Sequence, residues 1–561
     1  RSSAASDVYK RQIYGSRYVG GVIGRVNALS VYDSQTEKVI VGVKEGSESD
    51  YYNPTDTSTE DGGYVGGLIG YTDALVSNDS LVDNSVNAKD VIARGDHTVG
   101  GVVGRAVNIN YQRAENVTVD SIAKSGGICG ISDGTINYCR VKDSTIRAKT
   151  TSGDNGGVVA GGISGYSYNI SNSYTLNSNV TANQYAGGIC GIAGSYDRST
   201  FAPTYRQSYI RDNGVNKTTV EATTSHAGGI TGLSYTNNST DNYRNFVKDR
   251  STITAPALVG GLVGEMKSGI WRLSYVDDIK VTATGDYAGG LVGKADIESD
   301  NDYVGSLHQS YSHATVSGND YVGGIYGYYN VTIHNTTANH YLYSLMNMSD
   351  VTGSGSHVYA VGYNEDGALS KVTSGYYGAL TSYDQVKLKG STINKNDKSQ
   401  LSNDTNDKFY YVDQENVTDY TLVNKNVSDG GLNMNVSNFN YYMPTAVKLE
   451  NFAVSYLGNT SYSNADGRYQ FTLSGIDLKD GKYYIKPISL NESTVRSVTN
   501  ATGNMIYVKD GVAYVDETYT NNVLEVQYGT SNNVNRHWTF TIADVDLSLI
   551  HISEPTRRSY I

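Results

Sequence analysis

The side chains in this 561-residue chain that could do hydrolytic or metal chemistry are nine histidines, three cysteines and 56 carboxylates. A zinc peptidase would show His-Glu-x-x-His, which sets two ligands on one helical face with a glutamate as base. None of the nine histidines begins that motif. His308 with His313, and His334 with His340, lie close in sequence but have neither ligand spacing nor a carboxylate third partner, so solvated loop histidines are expected. The nearest carboxylate groups are Asp277 with Asp278, and Glu298, Asp300 and Asp302. Glycoside hydrolysis needs two carboxylates about 5 to 9.5 Å apart across a cleft, one of them with a raised pKa. These groups instead stand among Ser, Asn and Asp, the composition of solvated turns. No Asp-rich nonapeptide calcium repeat is present. No catalytic site, metal or cofactor is therefore expected, and the chain reads as a non-enzyme.

Three tyrosines are the candidates for ligand contact. Tyr326, Tyr328 and Tyr329 fall at and just after the last regular repeat, and flat amphipathic rings suit sugar or protein recognition. Cys129 and Cys190 fill one position of two non-adjacent repeats and read as packed free thiols, because stacked rungs two apart exceed the reach of about 7 Å for a disulfide. A bridge between Cys129 and Cys139 stays open at this point.

The elements that position these residues follow from self-similarity. The block Gly-Gly-x-x-Gly begins at Gly20, Gly66, Gly100, Gly126, Gly161, Gly187, Gly228, Gly260, Gly289 and Gly323. The step from Gly100 to Gly126 is 26 residues and that from Gly20 to Gly66 is 46, so the period wanders. Helical-hairpin arrays must hold their helix lengths, whereas a solenoid keeps one strand and varies its loops. The first variable position is aliphatic in every block, from Val22 to Ile325. The next is mixed, with Ile23, Cys129, Ser164, Thr231 and Tyr326 among its occupants. Strand alternation then predicts the first position inside and the second half-exposed. Tyr18, Tyr64, Tyr185, Tyr287 and Tyr321, two residues before the first glycine, share the inward parity and are expected to pack over the glycines.

A second element recurs between blocks: Tyr138 with Ile146 and Ala148, Tyr174 with Val180 and Ala182, and Tyr275 with Val281 and Ala283. It supplies the remaining walls of each rung. The expected fold is all-β, a right-handed β-solenoid of about ten rungs, making a rod of roughly 45 to 50 Å at ~4.8 Å per rung. The glycine blocks do not match a dinucleotide fingerprint, which needs Gly-x-Gly-x-x-Gly between a strand and a helix.

Blocks such as Tyr64 to Gly70 (YVGGLIG), Tyr287 to Gly293 (YAGGLVG) and Tyr321 to Gly327 (YVGGIYG) resemble GLUG-motif repeats. The resemblance covers about Ile13 to Gly327. It implies a bacterial surface protein or the non-catalytic repeat region of an IgA-specific zinc metallopeptidase, and it speaks to architecture and location more than to activity.

Residues 328–380 lose the strict block, although Val358 to Tyr363 (VYAVGY) and Ser374 to Leu380 (SGYYGAL) read as worn copies, as terminal repeats do. The solenoid is thus assigned to residues 13–380, a polar linker or loop to 381–408 and a β-sandwich-like domain to 409–546. In that last stretch Asp480-Gly481 and Asp510-Gly511 sit between alternating runs and signal two-residue hairpins. Residues 1–12 and 547–561 read as translated sequencing adapter, so the parent protein is expected to extend past both ends.

The formal charge of −12 leaves no clustered basic footprint, so neither nucleic acid nor membrane insertion is expected. The function expected is that of an adhesin or stalk, extracellular or on the bacterial surface, binding glycans or proteins without catalysis. The alternatives are an accessory region of a surface zinc metallopeptidase and a solenoid carbohydrate-active enzyme.

Overall fold

The structure is a computed structural model. It describes residues 11–365 apart from 16, 28–29, 45–62, 78–85, 150–156, 195–207, 237–240, 273, 300–304, 306, 334–341 and 348; beyond 365 it describes strand residues alone. Residues 1–10 and 547–561 of the expected adapter therefore lie outside the described residues, while Arg11 and Gln12 extend a strand, Arg11–Tyr14, that pairs with Val39–Gly42. The chain divides into two compact units, one of residues 1–414 with 430–432 and one of residues 415–429 with 433–561.

The first unit is a β-solenoid. Its fourth rung shows the plan: Lys124–Gly126, Cys129–Asn137, Arg140–Lys142 and Thr145–Ala148 form four walls in succession. Each wall pairs in parallel with its counterpart one rung on, Gly126 opposite Gly161, Cys129 opposite Ser164, Val141 opposite Thr175 and Ile146 opposite Val180. The backbone hydrogen bonds thus run between rungs, along the solenoid axis. No rung can satisfy its own amides, and stability comes from stacking.

The fourth wall obeys the alternation read from sequence. Val119, Ile146, Val180, Val220, Ile253, Val281 and Val316 form one continuous buried column. Ala148, Ala182, Ala222 and Ala255 follow it as a small-residue column at the next corner, all buried. The tyrosines read together with them are not equivalent. Tyr174 and Tyr275 lie on the outer face of the third wall with Phe246 between them, whereas Tyr138 stands at the corner before that wall, stacked on Tyr111 at 4.9 Å.

At the glycine block the alternation fails. The first variable position is buried as expected from Leu68 to Ile325, and only Val22, at the open first rung, is exposed. The second is buried as well, at Ile69, Val103, Cys129, Ser164, Cys190 and Thr231. The amides of both residues donate to one carbonyl: Leu68 N and Ile69 N reach Val102 O at 2.8 and 3.0 Å. Successive amides of a flat strand point to opposite sides, so two converging on one acceptor mean that the chain bends between them. Both side chains then face the interior, and the expectation of a half-exposed second position is corrected.

Two further corners carry a device absent from the sequence reading. Before the third wall, Tyr138, Asn172, Asp212 and Arg244 adopt left-handed backbone, with φ between 50° and 60°. The residue that follows, as Ser173, Asn213 and Asn245, with Ser274 in the same place one rung on, turns a polar side chain inward. Ser173 Oγ accepts the Cys139 amide at 3.2 Å, Asn213 Oδ1 that of Ser173 at 3.0 Å, Asn245 Oδ1 that of Asn213 at 3.2 Å and Ser274 Oγ that of Asn245 at 3.1 Å. A corner interrupts the ladder and would orphan its amide, and this column satisfies it. Ser144, Ser178, Thr218 and Ser251 do the same between the third and fourth walls.

Among the described residues the first wall has eleven strands, one more than the ten strict blocks. The eleventh is the worn copy: Val358–Tyr359 pairs with Val322–Gly323. Of the second worn copy, residues 374–378 lie outside the described residues, and Ala379 and Leu380 begin a strand, Ala379–Ser382, that pairs with Leu342–Asn347. Within the expected linker, Lys387–Leu388 and Ser391–Thr392 pair antiparallel.

The second unit holds a four-stranded sheet, ordered Arg468–Phe471, Arg536–Thr541, Val523–Tyr528 and Val495–Val498, and a three-stranded one of Gly481–Tyr484, Met505–Lys509 and Val512–Val515. Lys509 pairs with Val512 across Asp510-Gly511, the expected hairpin. The runs flanking Asp480-Gly481 belong to different sheets, so that pair joins two sheets and not two neighbouring strands. Packing of one sheet on the other, as in a sandwich, rests on side chains outside the described residues.

Candidate functional site: an aromatic corner

The bend at each glycine block folds the outer faces of the first and second walls toward each other. A Cβ on Gly323 would lie 2.2 Å from the carbonyl oxygen of Tyr326, and one on Gly327 would lie 2.6 Å from that of Tyr321. Glycine is therefore required at this closest approach, and the walls diverge outward from it. The positions two residues before the first glycine and one residue after the block become the two lips of an outer groove. Tyr321 and Tyr328 occupy them in the tenth rung.

Around them the rings form two columns. On the first wall Tyr287, Tyr321 and His357 stack face to face, with centroids 4.9 and 4.5 Å apart and planes within 12°. On the second wall Tyr328 and Tyr363 stack at 5.8 Å. The columns meet at right angles, with Tyr321 at 80° to Tyr328 and 81° to Tyr363. All five rings are half-buried.

Charged groups frame the corner. The Tyr328 hydroxyl donates to Glu365 Oε2 at 3.0 Å, and burial followed by that carboxylate pushes the phenol up. Burial also raises the Asp320 carboxyl, but His357, whose Nδ1 lies 2.8 Å from Oδ2, outweighs it and holds the carboxyl below its ordinary range. Lys294 Nζ pairs with Asp296 at 2.9 Å and sits 5.4 Å from the centroids of both Tyr287 and Tyr328.

The three tyrosines expected to meet a ligand are separated by the bend. Tyr328 is on the groove. Tyr326 and Tyr329 are each only 1% exposed and belong to the core, and the Tyr329 hydroxyl donates to Gly305 O at 2.9 Å. That expectation is corrected for both: Tyr326 opens the second wall on its inner side, and Tyr329 lies beyond the outward residue. The tyrosines preceding the glycines are likewise on the outer face, where Tyr18 and Tyr64 stack at 5.8 Å. His357 and Tyr363 were missed, although His357, just before the worn block VYAVGY, holds the place that Tyr321 does in the strict one, since Tyr359 pairs opposite Gly323.

A similar corner marks the first rungs. Arg25 lies 4.9 Å from the Tyr18 ring and 5.0 Å from the Tyr71 ring, and Arg105 lies 5.8 Å from the rings of Tyr64 and Tyr71. Between the two corners the same positions carry Ile131, Val159, Tyr166, Ile192 and Leu233, a buried apolar cluster. Beside it His226 Nε2 lies 2.8 Å from Glu265 Oε2.

The remaining candidates do not converge. His313 Nδ1 and Asp277 Oδ1 are hydrogen-bonded at 2.8 Å on neighbouring rungs, so His313 is a partnered strand residue and not an isolated loop histidine. Asp278 takes a corner position with φ 52°. His308 and Glu298 lie in strands but their side chains, and all of His334, His340, Asp300 and Asp302, are outside the described residues. Among the described residues no three His, Cys, Asp or Glu side chains come together as a metal site. Cys129, Cys139 and Cys190 are all free and buried, and burial pushes each thiol up. Among the described residues no helix is long and apolar enough to cross a membrane.

No protein-family profile matches the chain, and no curated protein matches it. Among solved structures, the chain is similar to one described as a "putative immunoglobulin A1 protease" from Bacteroides ovatus, at 14% identity over 64% of this chain and 81% of that one. The TM-score is 0.28, too loose a likeness to carry an argument about fold or function.

Proposed function

We propose that the chain is a non-catalytic part of a bacterial cell-surface or secreted protein, a solenoid stalk that binds an extracellular glycan or protein at its aromatic corner. The observation that carries this reading is the pair of perpendicular columns of Tyr287, Tyr321, His357, Tyr328 and Tyr363 on the outer surface. Stacked tyrosines expose ring edges and hydroxyls together, which is how amphipathic rings engage polar ligands. The GLUG-like blocks support a surface location, and parallel stacking of rungs supports a spacer, since each added rung lengthens the rod by ~4.8 Å.

The test is a glycan array with a panel of matrix proteins, comparing the wild type with a Tyr321→Ala, Tyr328→Ala variant whose circular dichroism matches it. Binding by the wild type that the variant loses is expected. Binding that survives the change removes the corner, and no binding by the wild type leaves a plain stalk.

A further inference from the structure

We propose that the corner over the ninth to eleventh rungs takes the guanidinium and ammonium groups of a basic polypeptide segment; this rests on the binding role above and names its ligand. Two observations converge. The first is that the groove already holds three cations of the chain's own sequence against its rings. Arg25 lies between Tyr18 and Tyr71, Arg105 lies beside Tyr64 and Tyr71, and Lys294 lies between Tyr287 and Tyr328, each within 5.8 Å of two ring centroids. Tyrosine faces set at right angles present two negative quadrupoles to one cation. In the next rung the equivalent place, beside Tyr321 and Tyr363, is filled by the neutral Tyr328.

The second observation is charge. Asp286, Asp296, Asp320 and Glu365 frame the rings, against Lys294 and His357. Lys294 neutralises Asp296, and His357 faces Asp320. Among the described residues the Asp286 carboxylate accepts from amides alone, Asn319 Nδ2 at 2.9 Å and Asp320 N at 3.1 Å, and Glu365 accepts a phenol. Aromatic faces beside carboxylates with an excess of negative charge complement Arg and Lys side chains and repel acidic ones. A neutral glycan would use the rings but leave that charge unanswered.

The whole chain is titrated by fluorescence anisotropy with labelled hexa-arginine, hexaserine and hexaglutamate peptides and, separately, with a labelled neutral oligosaccharide. Hexa-arginine alone is expected to bind, more weakly as salt screens the carboxylates. Glu365→Gln keeps an acceptor for Tyr328 and should weaken binding about fivefold, as should Tyr321→Leu, in keeping with a cation–π contact. Lys294→Ala, which removes the resident cation, should tighten binding about twofold or more by the same charge argument. A corner that only shields the last rung would not show that gain. Equal binding of the three peptides, or no response to any of the three substitutions, overturns the proposal. Binding of a glycan without the peptide overturns it and leaves the binding role standing, while binding of nothing overturns both.

Discussion

Asp96 lies at the corner between the fourth wall of the second rung and the first wall of the third, only 6% exposed. Its Oδ1 has no hydrogen-bond partner among the described residues. Burial, opposed only by backbone hydrogen bonds, pushes its carboxyl up to about 6 from 3.8. The folded state thus holds the proton more tightly than the unfolded chain, so the folded protein loses stability as pH rises from 3.8 through about 6. The rise from 3.8 to about 6 corresponds to about 3 kcal/mol. Asp96→Asn removes the charge but leaves a buried amide, so a net gain of about 1 to 3 kcal/mol is expected at pH 7.5. Below pH 4 the gain should vanish. Urea unfolding of wild type and variant, followed by far-ultraviolet circular dichroism at pH 4, 5.5 and 7.5, measures it. A variant no more stable than wild type at pH 7.5, or a difference that does not change with pH, refutes the reasoning.

Glu265 runs the opposite way: burial raises its carboxyl, but His226 and Lys267, each at 2.8 Å, outweigh it and hold it at about 2. Glu265→Gln should therefore destabilise the protein at pH 7 by about 2 to 3 kcal/mol, a difference that shrinks as pH falls below 4.5 and is gone near 2, read from the same unfolding curves. Ile230→Asp buries a charge without a partner and should lower the melting temperature steeply; Thr231→Lys should do nearly as much, because Thr231 is also fully buried and its hydroxyl bonds Leu233 O at 3.0 Å. A mild Thr231→Lys would restore the simple alternation. Gly228→Ala would place a Cβ 1.9 Å from Thr231 O, so the two walls must part, and calorimetry should show a loss larger than the roughly 1 kcal/mol typical of a point change. The three thiols should resist a thiol reagent until urea unfolds the solenoid; fast labelling of any of them in the native state would contradict their burial.

The sequence alone determined that this chain stacks, and which residues share a column on its regular walls. Gly-Gly-x-x-Gly recurs with a wandering period, and the Val or Ile followed by Ala two residues on, as at Ile146 with Ala148, obeys a local rule of alternation that needs no knowledge of the neighbouring rung. Tertiary structure decided where that rule breaks. The bend within the glycine block arises because two amides share one carbonyl of the next rung, a non-local hydrogen bond, and it alone sends Tyr326 inward and Tyr328 out. The left-handed corners at Asn172 and Asp212 likewise hold because Ser173 and Asn213 bond amides in adjacent rungs. The surface tyrosines were legible as tyrosines near glycines; their gathering into one corner was not, because it depends on which rungs meet and on how sharply each block turns.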